Sequence, residues 1–224
     1  VYWRSGRLEK VENSGSDGGP TAVLKEDPLG GPTAKLKEGI FGGAAPTEKV
    51  RGYDKFPKTR LVNDSDNDGD SFWVDLGGKK IQLRLYFVDA PEKYLSDRYE
   101  NQQRRVAEQA SEMGGVSLEQ IVEVGKAAKL FVERELKGKA FTVYTYWEEV
   151  YDGDRYYGFV ELPGGGYLGD RLIANGLARI HTKGPGSKEN PVPTPDGKSF
   201  HEHRDYLYGL EREAQKADRG TWGL

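Results

Sequence analysis

The stretch from Asn63 to Glu92 constrains the fold of this chain more than any other. It begins with a dense run of aspartate and asparagine residues. Two strand-like segments follow, Ser71 to Leu76 and Lys79 to Phe87, and a Gly-Gly pair separates them. A two-residue glycine connection between such segments is typical of a tight β-hairpin. The sequence therefore predicts a hairpin that could bring the acidic residues at its two ends together.

The second strand of this hairpin shows an alternating pattern. Its apolar residues Ile81, Leu83, Leu85 and Phe87 are separated by single polar or aromatic residues. A period of two is typical of a strand with one face against a core. We therefore expect the apolar set to face the core and Arg84 to point to the opposite face.

The first part of the chain differs from the rest in composition. Residues 1–56 contain a degenerate repeat with a period of 12 residues, whose Gly-Gly-Pro-Thr-Ala units begin at Gly18 and Gly30. A short segment rich in glycine and proline is typical of a linker or a wrapping arm. A set of small turn units that bind something is the alternative. We predict an N-terminal extension over residues 1–56 and a folded domain over residues 57–224.

Strands and helices are both expected in this domain. Besides the hairpin and a short strand at 59–62, the patterns predict helices over 97–113, 117–137, 167–175 and 200–217, and strands over 140–147, 155–162 and 177–180. Together these give about five strands in antiparallel hairpins and three or four helices. This content indicates an α+β fold in which helices pack against a small barrel.

Composition excludes several classes of function. The 224 residues include no cysteine, so the chain has no disulfides, thiolate metal sites or cysteine nucleophiles. No apolar run is long enough to span a membrane. The net charge of −3 gives no global positive field for nucleic acid, so a nucleic-acid function would depend on local arginines.

The aspartate run allows three interpretations. Residues 64–70 match the start of an EF-hand loop, with Asp75 at its twelfth position, but a strand rather than a helix is expected next. A solvated turn is a common outcome for such a composition. In the third interpretation Asp70 alone is a metal ligand and the preceding acids form a turn that adds negative potential.

A second acidic segment favours the third interpretation. Asp89 and Glu92 stand three residues apart just after a buried strand, and Pro91 fixes the backbone between them. Hard divalent cations bind carboxylates, backbone carbonyls and water. Asp70 and Asp89 could supply two such ligands, which leaves Glu92 free to act on a water molecule beside the metal.

Two strand arginines supply the cationic half of the candidate site. A lone arginine on a strand usually faces solvent, but Arg84 and Arg155 together could hold phosphate oxygens in bidentate fashion. They could also stabilise the negative charge that builds up in phosphoryl transfer.

Several separate blocks of the sequence resemble the staphylococcal nuclease (thermonuclease-like) family. The blocks are Asp68–Phe72, Arg84-Leu85, Val88–Glu92, Gly125–Ala128, Arg155 with Gly158 and Phe159, Leu172–Ala178 and Glu211–Trp222. They follow the order of the family and cover about residues 57–224.

This resemblance implies a five-stranded OB-fold β-barrel with three to four packed helices. It also implies a Ca²⁺-dependent endonuclease that hydrolyses phosphodiester bonds of DNA and RNA. The implied Ca²⁺ ligands are Asp70, Asp89 and the backbone carbonyl of Ala90; the implied catalytic residues are Glu92 as general base and Arg84 and Arg155 as phosphate-binding groups. The tyrosines with which the staphylococcal enzyme contacts nucleotides are not evident, since Thr182 and Gly184 stand near their expected places.

Two other functions stay open at this point. One is a non-catalytic OB-fold module that binds nucleic acid or a protein. The other is a Ca²⁺-binding structural protein that uses the residues from Asp64 to Asp75. The family is often secreted and the chain lacks cysteine, so we expect a secreted or cell-envelope protein, with the cytoplasm as the open alternative. The expected partners are DNA or RNA substrates, and the sequence does not identify any protein partner.

Overall fold

The strands form one large and one small sheet in the computed structural model, which describes residues 45–96, 98–151 and 155–224. They are β1 (Glu48–Val50), β2 (Tyr53–Leu61), β3 (Ser71–Asp75), β4 (Lys80–Leu85), β5 (Val88–Asp89), β6 (Phe141–Glu149), β7 (Arg155–Glu161) and β8 (Arg179–Ile180). The large sheet has six strands in the order β1-β2-β3-β4-β7-β6, and β2 also pairs with β6. Its pairs are antiparallel except for β4 with β7. The small sheet pairs β5 with β8.

Four α-helices accompany the sheets in the described part of the chain. They are α1 (Glu100–Glu112), α2 (Leu118–Leu136), α3 (Leu168–Ala174) and α4 (Phe200–Lys216), followed by a 3₁₀ turn at Gly220–Gly223. The capping box expected at Ser117 is present, because the Ser117 side chain accepts from the backbone N–H of Gln120. The predicted α+β class is confirmed, with a mostly antiparallel sheet. No helix among the described residues is long and apolar enough to cross a membrane.

The predicted hairpin is present as β3 and β4. Leu76 N–H donates to the carbonyl of Lys79 over 2.9 Å, and Gly77 and Gly78 between them both have positive φ. The second strand is shorter than predicted, because Phe87 has a φ of 64° and turns the chain into β5.

The face of β4 that carries Arg84 differs from the prediction. The apolar set is buried as predicted, but Arg84 and Tyr86 are buried too. The face that carries Arg84 is therefore not a solvent face. It is covered by two carboxylates, described below, so the strand is enclosed on both sides.

The sheet begins before the predicted domain boundary after residue 56. β1 and the first part of β2 lie within the segment assigned to the extension, and the predicted strand at 59–62 is only the end of β2. Tyr53 and Phe56 are both buried; Tyr53 pairs with Val50 of β1, and Phe56 pairs with Val143 of β6, so both belong to the sheet. The repeat units that begin at Gly18 and Gly30 lie outside the described residues.

A polar pair joins α3 to α4, in which His203 is buried and the Asp170 side chain is 14% exposed. His203 Nε2 lies 3.7 Å from Asp170 Oδ1, and no described residue forms a hydrogen bond with the Nδ1 atom of His203. Burial raises the pKa of Asp170 to about 7. Burial also lowers the pKa of His203 to about 4, so both groups favour their neutral forms.

This pair predicts a pH-dependent stability. Because the pKa of Asp170 is raised on folding, its contribution to the free energy of unfolding is present below about pH 4 and is lost as the pH rises to about 7. His203 has the opposite dependence, because its contribution is lost as the pH falls from about 6.5 to about 4.

Asp170→Asn removes only the effect of Asp170. We expect the stability of the variant, relative to the wild type, to rise by up to about 1.4 kcal/mol per pH unit between about pH 4 and 7. Urea unfolding of both proteins measures this difference, and a difference that does not change with pH would contradict it.

Candidate active site

The structure brings all six predicted site residues to one region. A cavity of about 160 Å³, the inner cavity, is lined by Asp70, Arg84, Ala90, Glu92 and Arg155. A neighbouring cavity of about 630 Å³, the outer cavity, is lined by Asp89 and shares Arg84, Arg105 and Arg155 with the inner cavity. The parallel pairing of β4 with β7 explains how the two arginines meet, because Gln82, two residues before Arg84, stands opposite Arg155.

Asp89 is the centre of the charged network. Its Oδ1 accepts from Arg84 Nη2 over 2.7 Å and from Arg105 Nη2 over 2.9 Å. Its Oδ2 accepts from Arg179 Nε over 2.8 Å and from Gln109 Nε2 over 3.0 Å. Burial acts to raise the pKa of Asp89, but these four donors outweigh it and hold the pKa well below its usual range. Asp89 is therefore ionised at neutral pH.

Asp70 is the second buried carboxylate. Its Oδ1 lies 3.1 Å from Arg84 Nη1, and its Oδ2 accepts from the backbone N–H of Ala90 over 2.6 Å. Burial raises the pKa of Asp70 to about 7, and the nearby charge of Asp89 adds to this, although Arg84 opposes it. Arg84 therefore bridges the two buried carboxylates through its two terminal nitrogens.

Glu92 lies at the inner cavity and is less enclosed. Its Oε1 lies 3.1 Å from Arg105 Nη1, and its side chain is 16% exposed. Gln109 fixes the backbone of the segment, because its side chain accepts from the N–H of Glu92 and donates to the carbonyl of Ala90, each over 3.1 Å. Burial raises the pKa of Glu92, with Arg105 opposing it, so the carboxyl is a stronger base than an exposed glutamate.

Two glycines allow close contacts around this segment. A Cβ atom at Gly125, on α2, would lie 2.4 Å from the carbonyl oxygen of Glu92 and 2.6 Å from that of Pro91. A Cβ atom at Gly69 would lie 2.6 Å from Cβ of Ala128, also on α2. Because the contacts at Gly125 are with backbone atoms, no side-chain movement could relieve them. The helix therefore sets the position of Glu92 through its glycine face.

Comparison with protein-family models and with curated proteins gave no match for this chain. The roles of the site residues therefore remain predictions, supported by the geometry of the two cavities.

The sequence reasoning missed two residues of α1, Arg105 and Gln109. Gln109 lies in the segment that the sequence predicts as a helix over 97–113, and it is fully buried. A signal was present, because Gln109 lies within the apolar stripe formed by Val106, Ala110 and Met113. A polar residue in such a stripe needs a hydrogen-bond partner, and here Gln109 bonds to the segment that contains Asp89 and Glu92.

Arg179 was missed for a different reason. It stands directly opposite Asp89 in the pairing of β5 with β8, and its side chain is only 4% exposed. Its Nη1 also lies 2.8 Å from Glu112 of α1, so it links the small sheet to that helix. Nothing in the local sequence around Arg179 indicates which strand it pairs with.

The aspartate run from Asp64 to Asp68 forms a turn held by a lysine. Lys93 Nζ donates to the backbone carbonyls of Ser65 and Asn67 over 2.7 and 2.9 Å, and lies 3.0 Å from Asp68. The strands β2 and β3 precede and follow the run, so it lacks the helices of an EF-hand. Two carbonyls of the loop are thus already occupied by an ammonium group, which favours the turn interpretation.

The oxygen atoms at the inner cavity suit a hard cation such as Ca²⁺. Besides Asp70, the buried Ser71 Oγ lines this cavity and forms no hydrogen bond within the described part of the chain. The Asp89 carboxylate and the Ala90 carbonyl accept hydrogen bonds from arginines or Gln109. No group of three or more histidine, cysteine, aspartate or glutamate residues with metal-binding geometry occurs among the described residues. Carboxylate, carbonyl and hydroxyl oxygens are the donor types that Ca²⁺ prefers, and Asp70 and Ser71 bring two of these types to the inner cavity without a bond to Gln109.

Proposed function

We propose that this chain is a Ca²⁺-dependent endonuclease that hydrolyses phosphodiester bonds of DNA and RNA. The observation that carries the proposal is that Glu92, Arg84 and Arg155 line the same cavity of about 160 Å³. At about 30 Å³ per water molecule, this is the space of roughly five waters, so a phosphate group and an attacking water fit together. A base and two permanent cations around such a space are the groups that phosphodiester hydrolysis requires.

The two arginines bind the scissile phosphate in this proposal. Arg155 lines both cavities, so its guanidinium lies where a phosphate oxygen would bind in this proposal. Arg84 is held by Asp70 and Asp89, which fixes its orientation at the cavity wall. A guanidinium that is positioned before the reaction stabilises the charge that develops on the equatorial oxygens without reorganisation.

Glu92 acts as the general base. Its carboxylate takes a proton from the water that attacks phosphorus in line with the leaving oxygen. The contact with Arg105 and the backbone bonds of Gln109 orient Glu92 toward the inner cavity. The raised pKa of Glu92 brings its basicity closer to that needed near neutral pH.

Asp70, Asp89 and the carbonyl of Ala90 are the residues that would hold Ca²⁺, with Ser71 nearby. When bound, Ca²⁺ polarises the scissile phosphate as a Lewis acid. Asp70 contributes a carboxylate that the protein has already buried beside the cavity. Gln109 keeps the Ala90 carbonyl oriented in its present position.

The pairing of the strands supports an OB-fold barrel as the scaffold. Because β2 pairs with both β3 and β6, the strands β2, β3, β4, β7 and β6 each have two neighbours in a continuous circuit. A circuit of five strands is expected for the barrel of the OB-fold. The site would then lie where β4, β5 and β7 end or begin on the barrel wall.

A non-catalytic binding module is the second candidate. The observation in its favour is that Glu92 and Arg84 both form ion pairs within the protein, so neither is free in this structure. This alternative predicts binding of nucleic acid that is independent of Ca²⁺ and of Glu92, without cleavage.

A Ca²⁺ titration of two aspartate variants tests the metal assignment. Asp70→Asn should remove both Ca²⁺-dependent cleavage of single-stranded DNA and stabilisation of the fold by Ca²⁺. In the wild type, Ca²⁺ at 100 times its dissociation constant should stabilise by about 2.7 kcal/mol. Asp66→Asn is the matched control, because Asp66 is an exposed acid of the nearby turn and should leave both effects intact. The opposite pattern, loss in the turn variant alone, would show that Ca²⁺ binds to the aspartate run instead.

A further inference from the structure

Helix α1 packs against the segment that carries Asp89 and Glu92, and it lies outside the sequence blocks that resemble the nuclease family. The blocks Val88–Glu92 and Gly125–Ala128 stand on either side of it in the chain. The resemblance therefore assigns no role to this helix. One of its residues, Arg105, lines both the inner and the outer cavity.

The guanidinium of Arg105 bridges two carboxylates of the candidate site. Its Nη2 donates to Asp89 Oδ1 over 2.9 Å, and its Nη1 lies 3.1 Å from Glu92 Oε1. A positive charge from α1 is thus held between a residue of the proposed Ca²⁺ ligand set and the proposed general base.

Arg105 is the most exposed of the four donors that bind Asp89. Its side chain is 41% exposed, compared with 11% for Arg84 and 4% for Arg179, and Gln109 is fully buried. Asp89 Oδ1 also accepts from Arg84 over 2.7 Å. If Arg105 withdraws, each oxygen of Asp89 therefore keeps at least one donor, and no buried acceptor is left unsatisfied.

The position of α1 does not depend on Arg105. Gln109 donates to Asp89 Oδ2 over 3.0 Å and to the carbonyl of Ala90 over 3.1 Å. Glu112 Oε2, near the end of the helix, lies 2.8 Å from Arg179 Nη1. Rotation of the Arg105 side chain therefore does not require the helix to move.

A divalent cation bound by Asp89 would meet the charge of Arg105. Ca²⁺ and a guanidinium carry charges of the same sign, and like charges a few ångströms apart repel strongly where water shields them only in part. Arg84 is the other cation on Asp89 Oδ1, but it is buried and also paired with Asp70, which holds it in place. Arg105 is therefore the cation that can give way to a metal ion.

We propose that Arg105 competes with Ca²⁺ for Asp89 and thereby sets the Ca²⁺ affinity of the site. This inference rests on the proposed function, because it uses the same metal ligands. When Ca²⁺ binds, the guanidinium leaves Asp89 and moves toward the outer cavity, which it already lines. Gln109 continues to hold the backbone of Glu92 through its N–H. At low Ca²⁺ concentration Arg105 neutralises the carboxylates in place of the metal.

Isothermal titration of the full chain with Ca²⁺ alone tests the competition, because it needs no substrate. Arg105→Gln removes the charge and keeps a polar side chain, so Kd for Ca²⁺ should fall on the order of tenfold. Arg105→Lys keeps the charge and should stay within about threefold of the wild type. Arg104→Gln is the matched control, because Arg104 is the neighbouring, exposed residue of α1 and donates to Asn101 over 3.2 Å. Its loss should change Kd by less than about threefold, since exposed charges are screened.

An unchanged or higher Kd in Arg105→Gln would overturn the competition. An equal gain in Arg104→Gln would overturn it too, because net charge alone would then explain the result. Arg105→Ala provides the same test if the glutamine variant does not fold.

Cleavage of single-stranded DNA by the same proteins separates this inference from the proposed function. If the wild type cuts DNA in Ca²⁺ but Arg105→Gln binds Ca²⁺ no more tightly, the competition is wrong and the function stands. If Arg105→Gln binds Ca²⁺ more tightly but neither protein cuts DNA, the function fails and the competition stands. If no variant binds Ca²⁺, both the competition and the metal assignment are wrong.

Discussion

Replacing Glu92 with glutamine should lower the turnover number on single-stranded DNA by roughly 10²–10⁴-fold, the usual contribution of general-base catalysis. Glutamine keeps the size of the side chain but cannot accept the proton of the attacking water. KM should change little, because the phosphate is bound by Arg84 and Arg155. Steady-state kinetics with a defined oligonucleotide in Ca²⁺ measures both quantities.

A matched control is available in the same cavity. Asp68 also lines the inner cavity but is paired with Lys93, so Asp68→Asn should reduce turnover by less than about tenfold. Thermal unfolding of both variants should stay close to the wild type. If Glu92→Gln keeps nearly full turnover while Asp68→Asn loses it, the base has been assigned to the wrong carboxylate.

Gly125→Ala should lower both the free energy of unfolding and the turnover number, although Gly125 is neither the general base nor a phosphate-binding residue. The new Cβ would lie 2.4 Å from the carbonyl oxygen of Glu92 and 2.6 Å from that of Pro91, closer than a non-bonded Cβ approaches another heavy atom. Overpacking of this kind costs about 1–3 kcal/mol of stability. A shift of Glu92 by about 1 Å should lower turnover on the order of 10²-fold. Urea unfolding and oligonucleotide cleavage measure the two effects.

Gly209→Ala is the control for the same substitution in a helix. Gly209 lies in α4, and an added Cβ would come no closer than 3.9 Å to another side chain, the end of Arg212. Alanine there should stabilise by about 0.5–1 kcal/mol, because glycine lowers helix stability, and should leave cleavage unchanged. Normal activity of Gly125→Ala would show that contact with α2 does not position Glu92.

The parts of the site that the sequence predicted are those fixed by short-range patterns. The glycine pair after Leu76 and the alternation in β4 predicted the hairpin. Asp89 and Glu92 follow the hairpin directly. Because only a few residues separate them from Arg84, the sequence alone indicated that they lie near it. The order of the blocks shared with the nuclease family then added Arg155, which lies on a strand far along the sequence.

The parts that could not be predicted depend on long-range packing. Arg105 and Gln109 reach the site because α1 folds back on the segment of Asp89, and Arg179 reaches it because β8 pairs with β5. The apolar stripe of α1 indicates that Gln109 is buried, but no local pattern encodes which segment α1 or β8 packs against. The turn at Phe87 was also missed, because a non-glycine residue with positive φ contradicts the strand pattern around it.

The start of the sheet could not be predicted from the local sequence either. β2 extends from Tyr53 to Leu61 and contains Pro57 and three charged residues, Asp54, Lys55 and Lys58, within its first six positions. Such a composition reads as a loop when taken alone. Pairing with β6 on one side and β1 on the other overrides this local preference.

The most direct test of the proposed function is digestion of single-stranded DNA and RNA by the purified chain, between pH 7 and 10, in Ca²⁺ and in EDTA. If Glu92 is the general base and Arg84 and Arg155 bind the phosphate, both substrates should be cut in Ca²⁺. EDTA should stop the reaction. Intact DNA and RNA in Ca²⁺ across this pH range would contradict it.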